Sequence, residues 1–132
     1  MIRWILLAAV LLGGCCEKEQ EKRPMLEPVS YETVDPLIGT GKPILLELGS
    51  TSCSGCRDMA TSLYAIKARH PQSGIYFIDI KAERYVARQY DVRMMPTQVI
   101  LDGSGRVVDT HVGVSGTQEL IERLERFGVL ER

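Results

Sequence analysis

The segment that most restricts how this chain can fold is PILLELGSTSCSGC, Pro43–Cys56. Residues 43–49 are almost continuously apolar, the pattern of a strand covered on both faces. Immediately afterwards Cys56, Met59, Ala60, Leu63 and Ile66 recur at helical spacing until Pro71 closes the segment, which predicts a helix over 54–69. A second apolar run, IYFIDI (Ile75–Ile80), reads as another buried strand. Two cysteines, Cys53 and Cys56, stand at the first strand-to-helix junction.

The rest of the chain adds elements in a readable order. Residues 31–41 carry a weak signal for a short helix ending near Gly39 or Gly41, and 83–89 for a short helix or turn leading into Met94-Met95-Pro96-Thr97. QVILDGSGRVVDTHVG is a hairpin turning at Asp102–Gly105. In the last element Ser115 and Gln118 have capping-box spacing, while Leu120, Ile121, Leu124 and Phe127 form one apolar face and Gly128 stops the helix. Glu119 with Arg123 and Glu122 with Arg126 are expected to give i,i+4 support on the exposed side. The order β-α-β-α-β-β-α over 31–132 implies an α/β domain, a mixed sheet with helices on both faces. Sites in such sheets favour the carboxyl edge of the strands, where Cys53 sits.

With 132 residues and a formal net charge of −1, the chain suits one small domain and carries no charge excess for nucleic acid. Its first fourteen residues do not belong to that domain. Arg3 and the amino terminus form a positive start, and the apolar run Trp4–Leu12 is about half the length that spans a bilayer, so it reads as an export signal. Leu12-Gly13-Gly14-Cys15 resembles the lipobox of bacterial lipoprotein signals, which implies lipidation at Cys15, although Gly13 is less usual at its place. The alternative is an ordinary signal peptide cut nearby. Cys16 fits the pattern worse, because Gly13 would then stand where leucine is wanted. Residues 15–30, polar and containing Pro24 and Pro28, read as a flexible tether. Export and anchoring would place the domain on the periplasmic or outer surface side of a bacterial membrane, where disulfide chemistry is permitted.

The chemistry of Cys53-Ser54-Gly55-Cys56 follows from its position. A cysteine at a helix N-terminus faces unpaired N–H groups and the positive end of the helix dipole, which favour thiolate, and Arg57 adds a cation. Cys56, on the first turn, is close enough to close a disulfide with little backbone movement. Cys53 is therefore the expected attacking thiol and Cys56 the buried resolving one. A structural zinc site needs four ligands, yet the domain holds a single CxxC, and His70 and His111 lie far along the chain, so no metal is expected. Tyr64, Tyr76, Phe77 and Tyr85 read as core and rim, and Arg84, Arg88 and Arg93 as a solvated face.

Glu47-Leu48-Gly49-Ser50-Thr51-Ser52-Cys53-Ser54-Gly55-Cys56-Arg57, followed by Met95-Pro96-Thr97 and then Val112-Gly113, resembles the thioredoxin family over residues 31–130. The resemblance implies a thioredoxin-like fold and a redox-active Cys53–Cys56 disulfide with no further cofactor. It also implies a cis Met95–Pro96 bond facing the cysteines, where the backbone of Met95 pairs with substrate beside Pro96 and Thr97. Glu47 matches the family's buried acid, usually aspartate; desolvation should raise its pKa, so that it can exchange a proton with Cys56. Several positions depart from the pattern. Ser52 and Gly49 replace aromatic residues, Ser-Gly replaces Gly-Pro between the cysteines, and Phe77 stands where a lysine usually neighbours the acid. The function implied is an extracytoplasmic thiol–disulfide oxidoreductase, a reductant or relay for exported proteins that resembles the small tethered thioredoxins of cytochrome c maturation. Its partners would be envelope protein thiols or disulfides and a membrane electron donor or acceptor. The alternatives are a thiol oxidant, or a non-catalytic binding module with a structural disulfide.

Overall fold

The computed structural model describes residues 23–131. The export-signal segment 1–14, the lipidation candidate Cys15, Cys16 and the start of the tether lie outside the described residues. A short helix α1 (Tyr31–Val34) continues into a 3-10 turn (Asp35–Leu37), followed by β1 (Ile44–Gly49), α2 (Ser54–Arg69), β2 (Ile75–Asp79), α3 (Arg84–Gln89), β3 (Thr97–Leu101), β4 (Val107–Val112) and α4 (Thr117–Arg126). From β1 onward this is the predicted order. The segment expected to be helical to Gly39 or Gly41 stops sooner, because Pro36 lies in the 3-10 turn and both glycines adopt positive φ.

The four strands lie in the order β2-β1-β3-β4, with β1 and β2 parallel and the other pairs antiparallel. Every residue of β1 is buried because the strand is central and both sheet faces are covered, which explains its unbroken apolar run. On one face α2 and α4 pack Met59, Leu63, Ile66, Leu120 and Leu124 on Leu45, Ile75 and Ile100. On the other, Tyr31, Val34 and Val86 pack on Leu46, Leu48, Ile78 and Val99. Burying each such side chain contributes about 1.5–3 kcal/mol, so the two layers fix the register of β1.

Two local expectations are corrected. Residues 26–29, assigned to the tether, are docked: Leu26 donates to the Ala60 carbonyl at 2.9 Å, and Val29 donates to that of Phe77 at 2.8 Å beside a Pro28–Phe77 bridge. The capping box does not form. Gly116 is the N-cap of α4, Ser115 is buried, and Gln118 donates to Glu122. The helix still ends as expected, with Gly128 at φ 75°.

Candidate active site

The C-terminal ends of β1 and β2 and the start of β3 converge at one edge of the sheet, and Cys53 lies there as the N-cap of α2. Its sulfur accepts the Cys56 backbone N–H at 3.3 Å, and its carbonyl accepts the Arg57 N–H at 3.0 Å. This is how a helix N-terminus receives negative charge on sulfur. Both cysteines are free thiols, Cys53 partly exposed and Cys56 fully buried. Burial, reinforced by the hydrogen bond with Cys53, pushes the Cys56 thiol up to about 12. Arg57, expected as a nearby cation, reaches back to the Thr51 carbonyl at 3.3 Å.

Gly49 explains how Cys56 fits. A Cβ at this position would lie 2.7 Å from Cys56 Sγ and 3.0 Å from its Cβ, so the missing side chain is the seat of the resolving thiol. Two residues earlier on the same face, Glu47 is fully buried, and among the described residues neither carboxylate oxygen has a hydrogen-bond partner. Desolvation raises its pKa from 4.5 to about 8; the Gln98 amide opposes the shift without a hydrogen bond of normal geometry. Phe77 stands opposite Glu47 in the β1–β2 register, so an apolar ring occupies that side of the acid.

The facing wall is the turn before β3. The Met95–Pro96 bond is cis. Thr97, buried, donates its hydroxyl to the Met94 carbonyl at 2.7 Å, and Gly113 donates to the Pro96 carbonyl at 2.8 Å. Among the described residues none engages the N–H or carbonyl of Met95. Gly55 lies beneath this wall, since a Cβ there would meet Val114 Cγ2 at 3.1 Å and Pro96 Cδ at 3.4 Å. The structure thus brings Cys53, Cys56, Glu47 and the 95–97 turn to one edge of the sheet.

Other residues behave differently from expectation or were not singled out. His70 caps the C-terminus of α2, far along the helix from the cysteines, whereas His111 pairs with Gln98 in the β3–β4 register. Among the described residues no group of three or more His, Cys, Asp or Glu side chains could hold a metal ion. Ser52 is part of a polar chain in which Lys81 donates to its hydroxyl at 2.7 Å and Ser50 Oγ lies 3.0 Å away. Arg123, expected on the exposed side with Glu119, is 7% exposed and pairs with Asp109. It also donates to Ser115 Oγ at 3.3 Å, and that hydroxyl reaches Gln98 Oε1 at 3.5 Å. A signal for Gln98 exists in the sequence: a polar residue inside the apolar strand TQVIL, the same anomaly that marks Glu47.

Comparison with known proteins agrees with this geometry. The family model described as Thioredoxin matches residues 27–126. A thioredoxin-like protein of Synechocystis is 31% identical over 69% of this chain and 87% of its own. The thioredoxin of Chlamydia trachomatis is 29% identical over 77% of this chain and 98% of its own. A thioredoxin structure from Malassezia sympodialis superposes with a TM-score of 0.66 at 22% identity, covering 80% of this chain and 93% of that one, which speaks to the fold. With the family model spanning most of the chain and a two-cysteine helix N-terminus facing a cis-proline turn, the chain belongs to the thioredoxin family.

Proposed function

We propose that the protein is a thiol–disulfide oxidoreductase in which Cys53 attacks and Cys56 resolves. The observation that carries this reading is the asymmetry of the pair. Cys53 is reachable and accepts an N–H at a helix terminus, while Cys56 is buried against Gly49 near an acid. In the reductive direction Cys53 thiolate attacks one sulfur of a substrate disulfide, forming a mixed disulfide and expelling the other sulfur as thiolate. Glu47 in its ionised form, a minor fraction near neutral pH that grows as pH approaches 8, then takes the Cys56 proton, and Cys56 thiolate attacks Cys53 Sγ. The second substrate thiol leaves, and the Cys53–Cys56 disulfide holds the two electrons' worth of oxidation.

The unpaired Met95 backbone offers a donor and an acceptor to an extended substrate segment, in the manner of strand addition. Met94 (64% exposed), Val112 (55%) and Val114 (54%) give the surface around that turn an apolar character suited to protein segments. The direct test is reductant-dependent reduction of insulin, with Cys53→Ser as control. Activity equal to that control would remove the enzyme reading and leave the non-catalytic binding module.

The setting belongs to the same proposal: export by residues 1–14, lipid attachment at Cys15, and action as a reductant or relay for envelope proteins, cytochrome c maturation among them. Its support is the Leu12–Cys15 pattern and the apolar start. A Cys56→Ser variant expressed with its export signal should hold partners as mixed disulfides on Cys53, naming substrates and direction together. Cys15→Ser should release the protein from membranes. A Cys53–Cys56 pair found fully oxidised in cells would assign the oxidant direction instead.

A further inference from the structure

The Glu47 carboxylate is fully buried and has no hydrogen-bond partner among the described residues, with Phe77 on its β2 side and Gln98 directly opposite it on β3. Gln98 is itself fully buried. One of its amide hydrogens goes to the Gly113 carbonyl at 3.1 Å, and no described acceptor takes the second. Its carbonyl oxygen receives the Ser115 hydroxyl, which in turn accepts from the buried Arg123 guanidinium. Every donor in this chain therefore points from Arg123 toward Gln98, and hydrogen bonds in sequence polarise one another in a low-dielectric interior.

We propose that Gln98 is the positioning residue for the Glu47 carboxylate: it turns its second amide hydrogen to the ionised acid, polarised from behind by Ser115 and Arg123. The inference deepens the oxidoreductase reading and rests on it, since the carboxylate is the group that accepts the Cys56 proton. It assigns to a neutral amide, backed by a cation two hydrogen bonds away, the stabilisation that Phe77 cannot give. Apart from charges on the outward surfaces of α2 and α4, this side of the sheet carries the Cys56 and Cys53 thiols and Lys67 of α2, Asp79 of β2, His111 and Asp109 of β4, and Arg123 of α4. Lys67 donates to the Ser73 carbonyl, and Asp79 accepts from the Lys81 and Ala82 backbone beyond Phe77. Asp109 is spent on Arg123, and His111 is separated from Glu47 by Gln98 itself.

The experiment is a titration of Glu47 in the reduced full chain by carboxyl carbon NMR, with Glu47→Gln identifying its resonance. Gln98→Met, close in shape but without a donor, should move the midpoint upward by about one pH unit, the effect of one lost hydrogen bond to an ionised group. Ser115→Ala and Arg123→Met should move it the same way by less. A midpoint unchanged in Gln98→Met, or moved downward, overturns the proposal and leaves Gln98 as an anchor for Gly113 alone. If Gln98→Met does not fold, Ser115→Ala decides, and no upward movement there overturns it equally. Insulin reduction by the unmodified protein is scored separately, so inactivity would remove the oxidoreductase reading without touching the titration result.

Discussion

Replacing Glu47 by leucine should stabilise the domain, and by an amount that grows with pH. The folded chain holds the Glu47 proton to about pH 8, whereas an unfolded chain releases it near 4.5. Between those values the native state binds the extra proton, so this group lowers stability as pH rises through the window and adds no slope outside it. At about 1.4 kcal/mol per unit, the advantage of the Glu47→Leu variant over the parent should widen by about 4 kcal/mol between pH 5 and pH 9. The group is fully buried, so solvent does not screen the effect. Both proteins would carry Cys53→Ala and Cys56→Ala, removing thiol titration, and be unfolded in urea with far-ultraviolet circular dichroism as readout. With a urea slope of about 1–1.5 kcal/mol per molar, the midpoints should separate by roughly a further 3 M across that range. A difference that stays level within about 1 kcal/mol from pH 5 to pH 9 would show that Glu47 is hydrated and titrates normally, and the reasoning would fail.

Other outcomes follow from the same geometry. Iodoacetamide near neutral pH should label Cys53 and spare Cys56, which is buried and held as thiol to about pH 12; mass spectrometry showing equal labelling would contradict the assigned roles. Gly49→Ala should cost about 1–3 kcal/mol as overpacking and slow closure of the Cys53–Cys56 disulfide, because the new methyl meets Cys56 Sγ at 2.7 Å. Unchanged melting temperature and oxidation rate would refute it. Arg123→Met should cost about 2 kcal/mol by leaving Asp109 unpaired at the sheet edge, and adding Asp109→Asn should recover part of that loss in a double-mutant cycle.

The β1–α2 junction is legible in the sequence because all its signals are local. An apolar run, helical spacing and two cysteines one turn apart lie in a single stretch, and the order of later elements follows from the same periodicities. Met95-Pro96-Thr97 is placed opposite the cysteines by family resemblance rather than by any pattern of its own. The two misreadings around α4 share one cause. Ser115 and Gln118 have the spacing of a capping box, and Arg123 that of a surface pair with Glu119, but both patterns assume that the helix end is solvated. Packing α4 over β3 and β4 buries Ser115 and Arg123 and redirects them to Gln98 and Asp109. Residues 26–29 carry too little apolar pattern to reveal that they add a bridge beside β2.

By itself, then, the sequence determined the strand–helix junction and the position of each cysteine on it, and the family resemblance added the buried acid. The first two depend on neighbours within a turn or a pleat. Tertiary structure decided what surrounds that acid. Glu47 meets Gln98 only through the antiparallel register of β1 and β3, and Gln98 meets Arg123 only once α4 crosses the sheet. Gly49 shows the same division: in the chain it is a missing aromatic, and in the fold it is the space that Cys56 fills. Register and close approach are set by the packing of the whole core, which no single window of sequence contains.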